Sequence, residues 1–151
     1  MKVLIVYDTL YGNTEKIARA IAAAITPSND VKVVRVSEVA PSELGSIDLL
    51  MVGSPTQNTG STKAIQEFLS KIPANSLKNI GVAAFDTRYS GILVGIFGFA
   101  AGKIADSLKR NGGTLIASPE GFFVEGKEGP LKQGEVERAA GWAKGILESK
   151  K

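Results

Sequence analysis

Three short stretches of this chain concentrate hydroxyls, side-chain amides and glycine: Thr9-Leu10-Tyr11-Gly12-Asn13-Thr14, Ser54-Pro55-Thr56-Gln57-Asn58-Thr59-Gly60 and Asp86-Thr87-Arg88-Tyr89-Ser90-Gly91. Free backbone N–H groups at a helix start, with the Thr9 and Thr14 hydroxyls, would wrap a dianionic phosphate without any cationic side chain. Gly12 would let the backbone approach such a ligand closely. The same residue types also cap helices, so Asn13 or Thr14 could serve as a cap and Gly12 as a turn residue. Both readings fit the first loop taken by itself. Two other phosphate motifs do not fit: the loop lacks the Gly-Lys-Ser/Thr ending of an NTP-binding loop and the three-glycine spacing of a dinucleotide fingerprint.

Other chemistries are removed by composition. The 151 residues contain neither cysteine nor histidine, which excludes thiol redox chemistry, iron–sulfur ligation, the usual zinc sites and imidazole acid/base catalysis. Redox activity would have to come from a bound cofactor. The net charge is +3 and the pI about 9.2, yet the basic residues are scattered among acids with no basic run or aromatic platform, so nucleic-acid binding is not expected. The apolar run Val3-Leu4-Ile5-Val6-Tyr7 is too short for a secretory signal and has no small-residue cleavage site, so no secretory signal is expected and the cytoplasm is the expected compartment. With 44% hydrophobic and 22% charged residues, a single domain over 1–151 with its own core is expected.

The elements that must position the three loops follow from hydrophobic periodicity. Lys2 to Tyr7 is a short β-branched run, the pattern of a strand buried on both faces. Ile17, Ala20, Ile21, Ala24 and Ile25 recur at helical spacing, and Thr26-Pro27-Ser28-Asn29-Asp30 stops them. Val31 to Val36, Ile47 to Gly53, Asn79 to Phe85 and Thr114 to Ala117 supply further strands. Helices are expected over Lys63 to Ile72, around Ala101, Ile104, Ala105 and Leu108, and over Gln133 to Glu148 with Val136, Ala140, Ala143 and Leu147 inward. Five strands alternating with helices make a doubly wound α/β parallel sheet with right-handed crossovers. Ligands of such sheets bind outside the carboxyl ends of the strands, which is where all three loops fall.

The first loop closely resembles the FMN phosphate loop of the flavodoxin family, commonly Ser/Thr-x-Thr-Gly-x-Thr, with Tyr11 as the departure. Flavodoxin-like quinone reductases often carry tyrosine there. Gly53-Ser54-Pro55-Thr56 looks like the family's second flavin loop and Phe85-Asp86-Thr87-Arg88 like its third, and Gly129-Pro130-Leu131 precedes the last helix as in small flavodoxin domains. The resemblance spans the chain and implies a short-chain form with sheet order 2-1-3-4-5, the order for which flavodoxin is itself the standard example. It implies FMN as cofactor, the second loop along one edge and face of the flavin ring, and the third along the other. The backbone position that flips on one-electron reduction falls near Gln57-Asn58. Asn tolerates positive φ less freely than Gly, so only modest stabilisation of the half-reduced flavin is expected.

Tyr89 is the aromatic best placed to stack on a flavin, against the alternative of a solvent-facing loop tyrosine, while Trp142 reads as core packing. Arg88 would either meet the flavin's electron-rich edge or an anionic partner, or pair with Asp86 as a solvated feature. Ile92 to Ala101 is apolar but far short of the ~20 residues of a membrane span; it is read as a loop and helix start packed on the sheet, with an exposed patch as the alternative. The function implied is an electron carrier working with redox partner proteins, as a monomer or weak homo-oligomer. The alternative is an NAD(P)H:quinone oxidoreductase using the same FMN site. A signalling receiver is excluded, because Asp8 stands alone and Gly53-Ser54 occupies the phospho-acceptor position. The basic pI runs against the acidic surfaces usual for the family's free carriers.

Overall fold

The computed structural model describes residues 1–57, 60–89 and 99–150. Strand β1 (Lys2–Tyr7) lies at the centre of a sheet, between β2 (Asp30–Arg35) and β3 (Leu49–Pro55), and β4 (Gly81–Tyr89) follows β3. The last position is shared by β5 (Thr114–Leu115) and β6 (Glu120–Val124), both parallel to β4. The spatial order is therefore the expected 2-1-3-4-5, with every neighbouring pair parallel.

The fifth strand departs from expectation in its extent. Thr114 to Ala117 was expected as one strand, but the ladder ends at Leu115 and resumes at Glu120, and the register beside β4 slips by two residues between the halves. Pro119 lies in the break, and its missing N–H cannot enter a ladder. The second half explains why β4 is longer than expected. Phe122, Phe123 and Val124 pair with Thr87, Arg88 and Tyr89, so Asp86 to Tyr89 are strand residues and not a loop.

Alternation along the strands builds two cores, one on each face. Val3, Ile5, Tyr7, Leu49, Met51, Ala83 and Phe85 face α1 (Asn13–Ile25) and the C-terminal helix. Leu4, Val6, Leu50, Val52, Val82 and Ala84 face the two helices on the other side, α2 (Lys63–Ser70) and α3 (Ala100–Arg110). Gly53 is required by this packing, since a Cβ there would stand 2.1 Å from the Phe85 ring.

The C-terminal helix, α4, runs Glu135–Lys150, and its inward stripe differs from the expected one. Ala139, Ala143, Ile146 and Leu147 are buried, whereas Val136 is exposed and Ala140 half-buried. The inward place in the first turn belongs to Glu135, whose carboxylate accepts from the Phe123 N–H at 2.7 Å and from Arg138. Trp142 is a core residue as expected, edge-on to Phe85 and Phe122 at 6.1 and 5.9 Å.

Candidate functional site

The loop between β1 and α1 is shaped by buried polar bonds. Asp8 is buried; its Oδ1 accepts the Thr9 N–H at 2.9 Å and its Oδ2 the Thr62 hydroxyl at 2.6 Å. Arg35 donates to the Thr9 carbonyl at 2.8 Å and approaches Asp8 at 3.4 Å, which offsets the carboxylate's charge beside the loop. The Gly12 N–H donates to Thr9 Oγ1 at 2.9 Å. Gly12 itself takes φ +88°, a left-handed turn that glycine adopts without strain.

This turn leaves the start of α1 open. The first helical hydrogen bond runs from the Lys16 N–H to the Gly12 carbonyl at 3.1 Å, so the N–H groups of Asn13, Thr14 and Glu15 have no intrahelical acceptor. Gly12 is the N-cap and supplies no side chain. Of the two readings open from sequence, a cap by Asn13 or Thr14 is therefore not what their side chains do. Asn13 Nδ2 reaches across to the Glu128 carbonyl at 3.1 Å, and Thr14 Oγ1 bonds Thr87 Oγ1 at 2.8 Å. Gly129 makes room for the Asn13 amide, because a Cβ there would lie 2.5 Å from Nδ2.

Asn13 and Thr14, two of the residues with open amides, line a cleft of about 320 Å³, within the size range of small-ligand sites. Thr9, Leu10, Tyr11, Asn13 and Thr14 line it from the first loop, Pro55, Thr56 and Gln57 from the second, and Thr87 and Tyr89 from the end of β4. Leu10, Tyr11 and Tyr89 are each about half exposed. The second loop is pinned at both ends: the Thr56 N–H donates to the Thr87 carbonyl at 2.9 Å, and Gln57 and Gly60 exchange two backbone bonds of 2.8 Å. Ser54 is buried below the cleft, where its Oγ accepts the Thr62 N–H at 3.0 Å.

Several candidates sit elsewhere. Asp86 is fully buried and holds Arg88 through two bonds of 2.7 and 2.8 Å. The guanidinium lies 3.5 Å from the Phe99 ring centre and against Gly121, away from the cleft lining. Gly60 lies behind the second loop, in a neighbouring groove. Asn58, Thr59 and Gly91, and the apolar stretch up to Gly98, fall outside the described residues.

Two cleft residues, Val124 and Lys127, were not visible as site residues in the sequence. The signal was present: Phe122-Phe123-Val124 has strand chemistry, and reading it as a strand would have placed Glu125 to Pro130 at the ligand edge of the sheet. Burial, followed by the nearby Glu15 carboxylate, pushes the Tyr7 phenol above its ordinary value, while Arg19 holds the Glu15 carboxyl below its own.

A doubly wound parallel sheet with an uncapped helix mouth at the edge where its winding reverses defines a nucleotide- or flavin-phosphate binding α/β protein. Sequence comparison specifies which. A family model described as flavodoxin matches residues 5–142, and the chain belongs to the flavodoxin family, with FMN as its cofactor. A flavodoxin of Picosynechococcus is 38% identical over 68 residues, covering 45% of this chain and 40% of that protein. An uncharacterised protein of Methanocaldococcus jannaschii is 38% identical over 88 residues, 54% of this chain and 22% of that one. The chain thus matches less than half the length of either relative. Oxidised flavodoxin 1 from Bacillus cereus has the same fold, with a TM-score of 0.83, 18% identity and 98% coverage of both chains.

The described residues fit FMN on their own geometry. The uncapped amides and the Thr9 hydroxyl suit a phosphate, and the half-exposed Tyr89 and the Pro55-to-Gln57 segment offer a flat, partly apolar wall for a ring. Among the described residues, no helix is long and apolar enough to cross a membrane, and no group of acidic residues could hold a metal.

Proposed function

We propose that this chain is a cytoplasmic electron carrier that exchanges electrons between redox partner proteins through FMN seated in the cleft. The observation that carries the reading is the open mouth of α1, where Gly12 forms the N-cap without a side-chain acceptor and Asn13 and Thr14 of the first turn line the cleft. In this reading the amides of Leu10, Tyr11, Asn13 and Thr14 hold the phosphate, aided by the helix dipole, while the Gly12 N–H shapes the loop through Thr9 Oγ1. Thr9 Oγ1 accepts from Gly12 and keeps its own proton to donate, and Asp8 with Arg35 fixes the loop. The Pro55-Thr56-Gln57 backbone borders the ring's polar edge, Tyr89 covers a face, and Val124 and Lys127 close the rim.

FMN supplies the one- and two-electron chemistry when bound, and the chain's part is to hold, orient and partly shield it. The described cleft lining holds no carboxylate, and its titratable side chains are Tyr11, Tyr89 and Lys127; the carrier and the quinone reductase are therefore separated by reactivity with NADPH. The test is direct. Titrating the purified protein into FMN should quench flavin fluorescence at 1:1 stoichiometry, and adding NADPH to the loaded protein should leave the flavin absorbance unchanged. Rapid stoichiometric bleaching by NADPH would establish the reductase instead.

A further inference from the structure

We propose that the groove between α2 and α3 is the docking site for an acidic redox protein; this deepens the carrier reading and rests on it. The groove measures about 660 Å³, and among the described residues its lining carries three cations, Lys63, Lys103 and Arg110, and no carboxylate. All three are exposed. The carboxylates of the two helices stand outside this lining: Glu67 lines a separate cleft with Lys71, and Asp106 comes within 3.9 Å of Lys109.

The position of the groove gives the charge its meaning. Gln57 lines both the groove and the cofactor cleft, so the two hollows are opposite sides of one pinned hairpin. Lys103 lies along that hairpin, since a Cβ on Gly60 would meet its Cδ at 3.6 Å and its Nζ at 3.8 Å. A partner seated in the groove rests against the backbone that borders the cleft. The cations stand on exposed stems and no buried charged side chain converges on a point, which suits a broad acidic protein surface better than a small anion. Complementary charge of this kind steers encounter and fixes orientation. The chain's net charge of +3 has the same sign.

A plant-type two-iron ferredoxin, an acidic one-electron carrier, serves as the probe. Each transfer oxidises its cluster by one electron and reduces the bound flavin by one. Stopped-flow reduction of the FMN-loaded protein by photoreduced ferredoxin should slow about tenfold between ~20 mM and ~300 mM salt. At low salt the triple variant K63E/K103E/R110E should react about tenfold more slowly. The variant K2E/K78E/K144E, with the same charge change at the opposite end of the sheet, should stay within about twofold. Chemical-shift mapping with oxidised ferredoxin should centre on residues 60–70 and 103–110.

Equal slowing of both triple variants, a rate that rises with salt, or shifts centred elsewhere would overturn the proposal. Inorganic phosphate moving the same resonances at submillimolar concentration would also overturn it, in favour of a small-anion site. Failure to take up FMN would defeat the carrier reading on absorbance alone, while the shift mapping still decides the groove.

Discussion

The mouths of α1 and α3 open on the same edge of the sheet and treat their backbone amides in opposite ways. At α3 the Ala100 N–H donates to Thr56 Oγ1 at 3.1 Å and the Ala101 N–H to Asp86 Oδ2 at 2.9 Å. The helix start is sealed by side chains from β4 and the segment after β3. At α1 the cap is a glycine with no side chain, and the hydroxyl and amide that could have turned inward bind Thr87 and Glu128 instead. α2 follows the sealed pattern through Thr62, which accepts the Ile65 N–H at 3.3 Å. Unmet hydrogen-bonding capacity next to a cleft costs stability, which is why the proposed function puts the phosphate at the mouth of α1.

Breaking the sealed mouth should have the largest effect. In D86A the fully buried carboxylate is lost, leaving Arg88 without its two-point partner and the Ala101 amide without an acceptor. Removing one member of such a pair typically costs 3–5 kcal/mol, and urea unfolding of the apoprotein should show a loss of about 3 kcal/mol. A loss below about 1 kcal/mol would mean that the pair is solvated and α3 is not sealed by it. The open mouth should respond in affinity. Val at position 12 is strained by the φ of +88°, although a Cβ there meets nothing within 4 Å, and a strained backbone of this kind costs about 1–3 kcal/mol. Gly12→Val should weaken FMN binding by about 10- to 100-fold in fluorescence titration. Unchanged affinity would show that the turn does not present the amides.

The contrast between the mouths also explains what could be read without coordinates. Strands β1 to β4 and the first three helices follow from apolar periodicity, because their faces are buried against a continuous core. The open mouth was half legible: Thr9 to Thr14 identify the residues, but whether Asn13 and Thr14 cap the helix depends on Thr87 and on the Glu128 carbonyl, more than seventy and one hundred residues away. The sealed mouth was not legible. Asp86 and Arg88 resemble a loop pair until β6 extends the ladder past them, and β6 is hidden by the break at Pro119 and by its near-continuous burial beside β4. Val124 and Lys127 were missed for the same reason.

A buried carboxylate at the start of α4, paired with Arg138 and the Phe123 N–H, carries a pH signature. Arg138, and then the Phe123 amide, hold the Glu135 carboxyl below its ordinary value, against the opposing pull of burial. Because the folded-state value is depressed, the stabilisation is complete above the unfolded value of about 4.3 and is lost as pH falls through the folded value. E135Q should therefore be less stable than the parent by about 1–2 kcal/mol at pH 7, and the two should converge as pH falls through and below the depressed folded-state value. A stability difference independent of pH would reduce Glu135 to a packing role.

The smallest effect belongs to the ring wall, where the site relies on surface and not on hydrogen bonds. Tyr89 ends β4 in register with Val124, lines the cleft and is about half exposed, so Y89A removes an aromatic face while the ladder is kept by the backbone. Stacking contributes about 0.5–1.5 kcal/mol beyond buried area, which corresponds to a roughly 2- to 13-fold loss of FMN affinity with a shift of the flavin absorption bands. Y89F should restore both, since the ring and not the hydroxyl is invoked. If Y89A binds FMN as the parent does with an unshifted spectrum, the ring lies elsewhere in the cleft and the α1 mouth alone accounts for retention. If affinity falls while the spectrum is unchanged, Tyr89 narrows the cleft without stacking, and Tyr11, the other half-exposed aromatic on the rim, becomes the residue to substitute next.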